Sequence, residues 1–135
     1  MGIQSRAQRE KFSRRRKSLG HLSYQIRDLI QPFFSGKPVI KGSVYELKRK
    51  CGKPGCKCTE GQLHSSMVLS SSEKGRTRLR VIPRGALLEV KSKVQRYQAL
   101  RRSRSQLVET FRRTLRVLDE MEEIRRDEMS SGESG

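Results

Sequence analysis

Gly42-Ser43-Val44-Tyr45-Glu46-Leu47-Lys48-Arg49-Lys50-Cys51-Gly52-Lys53-Pro54-Gly55-Cys56-Lys57-Cys58 is the stretch on which the reading of this chain turns. A strand-like run carrying Val44, Tyr45 and Leu47 passes through three cations into a cysteine turn. All three cysteines of the protein fall within this turn, and His64 follows shortly after. Zinc takes four thiolate or imidazole ligands at about 2.0–2.3 Å in a tetrahedron, so its ligands must come from a tightly folded loop. Gly52, Pro54 and Gly55 are the residues such a loop needs: proline presets φ, and glycine accepts positive φ at little steric cost. The pattern predicts one closed structural zinc site made of Cys51, Cys56, Cys58 and His64, with His21 or a water as substitutes in the fourth place. The spacing is not the C-x2-C pair of common zinc ribbons. Three free thiols in a glycine-rich turn, or redox chemistry, stand beside the metal reading.

Working outward, residues 67–72 and 76–82 read as a hairpin about Glu73-Lys74-Gly75, with Gly75 able to take the left-handed position of the turn. With a strand over 39–50, in which Gly42 marks a candidate bulge, this makes a three-stranded antiparallel sheet. Side chains alternate along a strand, so Thr77, Leu79 and Val81 share one face and Arg76, Arg78 and Arg80 the other. Three arginines in a row repel one another unless an anion neutralises them, and arginine grips phosphates bidentately. The plain alternative is a solvated face.

Leu19, Leu22, Ile26, Leu29, Ile30 and Phe33 recur at spacings of three and four, which predicts an amphipathic helix over 19–34, capped by Ser23 and ended by Pro32. Before it, residues 1–18 hold Arg6, Arg9, Lys11, Arg14, Arg15, Arg16 and Lys17 against Glu10, and are expected to be a disordered basic arm that contacts phosphate or only solubilises. After Pro83, a helical pattern spans 84–128, with a seam of Leu87, Val90, Val94, Tyr97, Val108, Phe111, Leu115 and Leu118 and flanks of Leu88, Leu100, Leu107, Met121 and Ile124. Unbroken, such a helix is over about 60 Å long, more than so small a sheet can cover. Its far half needs a partner: a second copy joined as a coiled-coil dimer through residues 87–124, a fold-back onto the chain's own N-terminal helix, or a partner protein. The seam weakens at Arg101-Arg102-Ser103-Arg104-Ser105, a further basic patch, and 129–135 reads as a disordered tail. The expected fold class is α+β. It comprises a small sheet with a Cys/His zinc loop (39–83), an N-terminal amphipathic helix and a long coiled-coil-like C-terminal helix.

The order of these features resembles a small, uncharacterised prokaryotic domain family over about residues 42–115. The shared residues are Gly42-Ser43, Cys51-Gly52-Lys53-Pro54, Cys56, Cys58, His64, the hairpin Lys74-Gly75-Arg76-Thr77-Arg78, Pro83 and the long helix that follows. The resemblance implies a setting near transposase genes, and hence mobile DNA, with a transposase as a candidate partner. The chain departs from the family pattern after His64, where Ser65-Ser66-Met67-Val68-Leu69 stand in place of Gly-Pro and several tyrosines.

Composition narrows the function classes. The chain has 135 residues with 33% hydrophobic, 5% aromatic and no tryptophan, enough for one small core that benefits from a metal or a partner. Its net charge of +17 attracts polyanions, nucleic acid first and anionic membrane next. No apolar run approaches a membrane span, no secretory signal is evident, and clustered cysteines do not suit a secreted disulfide framework, so the expectation is a cytoplasmic protein without a membrane partner. No paired carboxylates, nucleophile–His–acid set or phosphate-cradling glycine loop is present, which argues against an enzyme. The expected activity is zinc-stabilised binding of nucleic acid, duplex DNA favoured over RNA, as an accessory factor of a mobile element. The expected contacts are Arg14, Arg15, Arg16, Lys17, Lys48, Arg49, Lys50, Lys53, Lys57, Arg76, Arg78, Arg80, Arg101, Arg102 and Arg104. The alternative is a coiled-coil adaptor pairing with a transposase or itself, with only generic polyanion affinity.

Overall fold

The structure, a computed structural model, describes residues 5–49 and 64–127. Helix α1 spans Arg6–Ile30, strands β1, β2 and β3 span Ser43–Arg49, His64–Glu73 and Arg76–Val81, and helix α2 spans Leu87–Arg125. This is the α+β arrangement expected, with two compact units: Met1–Ser35 with Arg102–Gly135, and Gly36–Arg101. The expected tail, 129–135, lies outside the described residues.

Helix α1 begins well before Leu19, and this corrects the expected arm. Residues 6–18 are its first half. A capping box explains the early start: the Gln8 amide donates to Ser5 Oγ and the Ser5 amide to Gln8 Oε1, both at 3.1 Å. Phe12 extends the less exposed stripe of Leu19, Leu22, Ile26 and Leu29 one step further towards the N-terminus. Ser23 is not a cap. It lies inside the helix and its hydroxyl donates to the Gly20 carbonyl at 2.7 Å. Pro32 does end the α-helix, within a 3-10 turn over Gln31–Phe34.

In the first unit α1 runs antiparallel to the second half of α2. Arg15 pairs with Glu120. Phe12 lines one groove with Leu118 and Met121, and Gln25 and Leu29 line another with Gln106 and Thr110. Leu22 and Ile124 are buried, and so is Thr110, whose hydroxyl donates to the Gln106 carbonyl at 2.8 Å. The fold-back alternative thus accounts for one side of α2. The residues turned towards α1 are the flanks Leu107, Met121 and Ile124, whereas Val108, Phe111, Leu115 and Leu118 of the expected seam stay 38–59% exposed.

In the second unit the strands lie in the order β1-β2-β3, antiparallel throughout. β1 and β2 pair without interruption from Ser43↔Ser70 to Arg49↔His64, so no bulge breaks β1. Gly42 instead precedes the strand at φ +154, pressed against Ser70. Lys74 and Gly75 both have positive φ, 52° and 77°, as a two-residue turn matched to the sheet's twist requires. Val68 at the centre of β2 is 1% exposed, and Ile82 and Val94 complete the buried apolar set. The Ile40 amide donates to the Lys93 carbonyl at 3.2 Å and Arg96 donates to the Pro38 carbonyl, which tie the lead-in of β1 to the first half of α2. No helix among the described residues is long and apolar enough to cross a membrane.

Candidate nucleic-acid interface

The charge of α1 is sorted by its packing. At 100° per residue, the side facing α2 centres on Arg15, Leu22 and Ile26, and the opposite side carries Arg6, Arg9, Ser13, Arg16, Lys17, Gly20, Tyr24 and Arg27, all exposed. Five cations therefore share one face, separated by two small residues and a tyrosine that is 69% exposed. Arg6 is partly offset by Glu10 at 3.2 Å, one turn away. Among the described residues, no carboxylate lies within ion-pair distance of Arg9, Arg16, Lys17 or Arg27. Arg16 is held in place differently, its guanidinium 5.1 Å from the centroid of the Phe12 ring.

In the sequence Arg14, Arg15, Arg16 and Lys17 form one block. The helix separates them. Arg16 and Lys17 lie on the basic face and Arg14 is exposed on its border, but Arg15 turns to Glu120 and is held within the helix pair. The expected contacts omit Arg6, Arg9, Arg27 and Tyr24, which the basic face includes. Their signal is the spacing 6, 9, 13, 16, 20, 24, 27, which has meaning only once the first eighteen residues are taken as helix.

On the sheet, the observed register puts Lys48, Glu46 and Val44 of β1, Ser65, Met67, Leu69, Ser71 and Glu73 of β2, and Arg76, Arg78 and Arg80 of β3 on one face. All three arginines are exposed. They do not stand alone: the Glu73 carboxylate lies 3.6 Å from Arg78 and 4.0 Å from Arg80. Ser65 donates to Glu46 on the same face. The arginine row is therefore basic but partly balanced by Glu73, unlike the basic face of α1. Arg101, Arg102 and Arg104 are exposed positions of α2.

Arg49 and His64 face each other as the last pair of the β1–β2 ladder, so both ends of the segment 50–63 start from one point on the sheet. His64 is the first residue of β2. The other expected metal ligands, Cys51, Cys56 and Cys58, and the basic residues Lys50, Lys53 and Lys57 lie outside the described residues. Among the described residues, no group of three or more His, Cys, Asp or Glu side chains gathers to hold a metal.

No curated protein and no solved structure matches the chain. One family does, over residues 8–92, which take in nearly all of α1, the whole sheet and the start of α2. With more than half its length matched, the chain belongs to the family described as a domain of unknown function (DUF6788).

Proposed function

We propose that this chain binds duplex nucleic acid, DNA before RNA, with the outer face of α1 against the phosphates. One observation carries the reading: a 25-residue helix, anchored on one side by packing, shows solvent a row of cations in which, among the described residues, no carboxylate lies within ion-pair distance of Arg9, Arg16, Lys17 or Arg27. Ser13 and Gly20 in the middle of that row let the helix backbone approach a groove wall closely. The major groove of B-DNA is about 12 Å wide and admits an α-helix, whereas that of A-form RNA is too narrow for side chains to read. The scarcity of aromatics gives little for stacking on single strands. The sheet arginines would add secondary contacts.

Zinc belongs to the same proposal. Three thiols and an imidazole are a zinc donor set, and His64 stands at the base of the segment that carries the cysteines. Bound there, the ion would fix that segment to the Arg49–His64 end of the sheet in a structural, not a catalytic, role. An accessory part in transposition follows from the genomic setting the resemblance implies.

The test is a salt series with nucleic-acid-free protein on matched duplex DNA, duplex RNA and single strands. Replacing Arg9, Arg16, Lys17 and Arg27 together by Ala should reduce the log–log salt slope by up to about 3–4, at about 0.9 for each phosphate no longer neutralised. It should also abolish duplex DNA binding near physiological salt. An unchanged slope would refute the placement on α1.

A further inference from the structure

One flank of α2 in the first unit carries a stripe of Val108, Phe111, Leu115 and Leu118, 38%, 47%, 59% and 43% exposed. The spacings of three, four and three are those of a and d positions in a heptad, and at 100° per residue they form a flank roughly 110° round α2 from the residues that face α1, with Leu118 at the edge of the groove that Phe12 lines. The next positions of the same seam are charged, Arg104 before the stripe and Glu122 after it, and both are exposed.

We propose that this stripe is the interface of a two-fold symmetric dimer in which α2 pairs antiparallel with α2 of a second copy, the axis crossing level with Arg113. In that register Val108 meets Leu118 of the partner subunit and Phe111 meets Leu115 of the partner subunit. Each contact occurs twice by symmetry, as a self-complementary patch requires. One layer further out, Arg104 of each protomer meets Glu122 of the partner subunit, so a charge pair closes both ends of the apolar core. A parallel in-register pairing sets arginine against arginine and glutamate against glutamate at those same layers, which repel. The charges therefore select the antiparallel form as well as the partner. Beside the stripe, Arg112 and Arg116 are engaged within their own helix by Glu109, at 3.8 and 4.0 Å, and so add little repulsion.

Four side chains exposed to this degree offer on the order of 300 Å² per copy, less than half of the roughly 800 Å² per partner of a standard stable interface. The association is therefore weak and concentration-dependent. Residues 104–122 lie beyond the matched family region, so the interface belongs to the part of the chain that the family match leaves out.

Sedimentation of the full chain across concentration, free of nucleic acid, should show a monomer–dimer equilibrium in the range of tens to hundreds of micromolar. Leu115→Glu should abolish it while circular dichroism stays unchanged. Arg104→Glu and Glu122→Arg, each alone, should weaken the dimer about tenfold, and the double swap should restore it to within about threefold. A wild-type chain that stays monomeric to about 1 mM refutes the dimer. A dimer indifferent to Leu115→Glu, or a double swap no tighter than the single ones, refutes the interface and its antiparallel register.

Discussion

Gly42→Ala is a sharp probe of how the sheet is assembled. Gly42 enters β1 at φ +154, a region almost restricted to glycine, and an alanine held there costs about 1–3 kcal/mol in backbone strain alone. The added Cβ would stand 2.6 Å from the Ser70 carbonyl oxygen and 2.9 Å from a Leu69 methyl. The methyl can rotate away, but the oxygen belongs to the central strand. Carbon and carbonyl oxygen normally stay about 3.3 Å apart or more, so β1 and β2 must separate by roughly 0.7 Å where Ser43 pairs with Ser70. Loosening one ladder hydrogen bond adds about 1 kcal/mol. The expected loss is about 2–4 kcal/mol, which for a unit of this size lowers the melting temperature by roughly 10–25 °C. Gly20→Ala is the control: the site sits inside α1 with nothing within 4 Å, so alanine should stabilise by about 0.5–1 kcal/mol. Thermal unfolding gives the sign, and residue-resolved amide exchange locates the change. If Gly42→Ala costs less than about 1 kcal/mol and leaves the Ser43–Ser70 amides as protected as before, the close approach of the two strands is wrong.

Two further outcomes concern the start of α2 and the metal. Lys93 donates to Glu89 at 2.8 Å, and this hydrogen bond, with the lysine's charge, lowers the Glu89 pKa. A depressed carboxylate stabilises the fold above its unfolded pKa of about 4.3 and loses that contribution as pH falls through the folded value, so NMR titration should find a midpoint below the ordinary range that Lys93→Met returns to it. The purified chain should carry roughly one zinc ion, and its removal by a chelator should speed amide exchange at Lys48, Arg49 and Ser65 more than at the Ser43–Ser70 end; metal-free protein with the same protection pattern would count against zinc.

Much of the architecture is legible in the residues themselves. Alternation and turn chemistry around Lys74-Gly75 locate the hairpin, because side-chain period and positive φ are local properties. The same holds for the proline that ends α1 and for the long helix after Pro83. The start of α1 is not legible in this way, because charge density in residues 1–18 suggests disorder. A capping box and one phenylalanine outweigh that repulsion once the helix has α2 to pack on. The expected metal site rests on the cysteine pattern alone, whose cysteines lie outside the described residues, and the sheet adds only that His64 stands opposite Arg49.

Sequence alone determined which residues are cationic, which are apolar and at what period they recur. It could not decide which cations are engaged inside the fold. Arg15 and Arg16 are adjacent and chemically identical, yet one pairs with Glu120 and the other faces solvent over Phe12. Nor could it decide which side of the α2 seam is covered. Leu107 and Met121 turn towards α1, while Val108, Phe111, Leu115 and Leu118 stay half-exposed. Both choices depend on where one helix lies against another. That is set by the sum of many weak contacts between residues far apart in the chain, and no local pattern contains it.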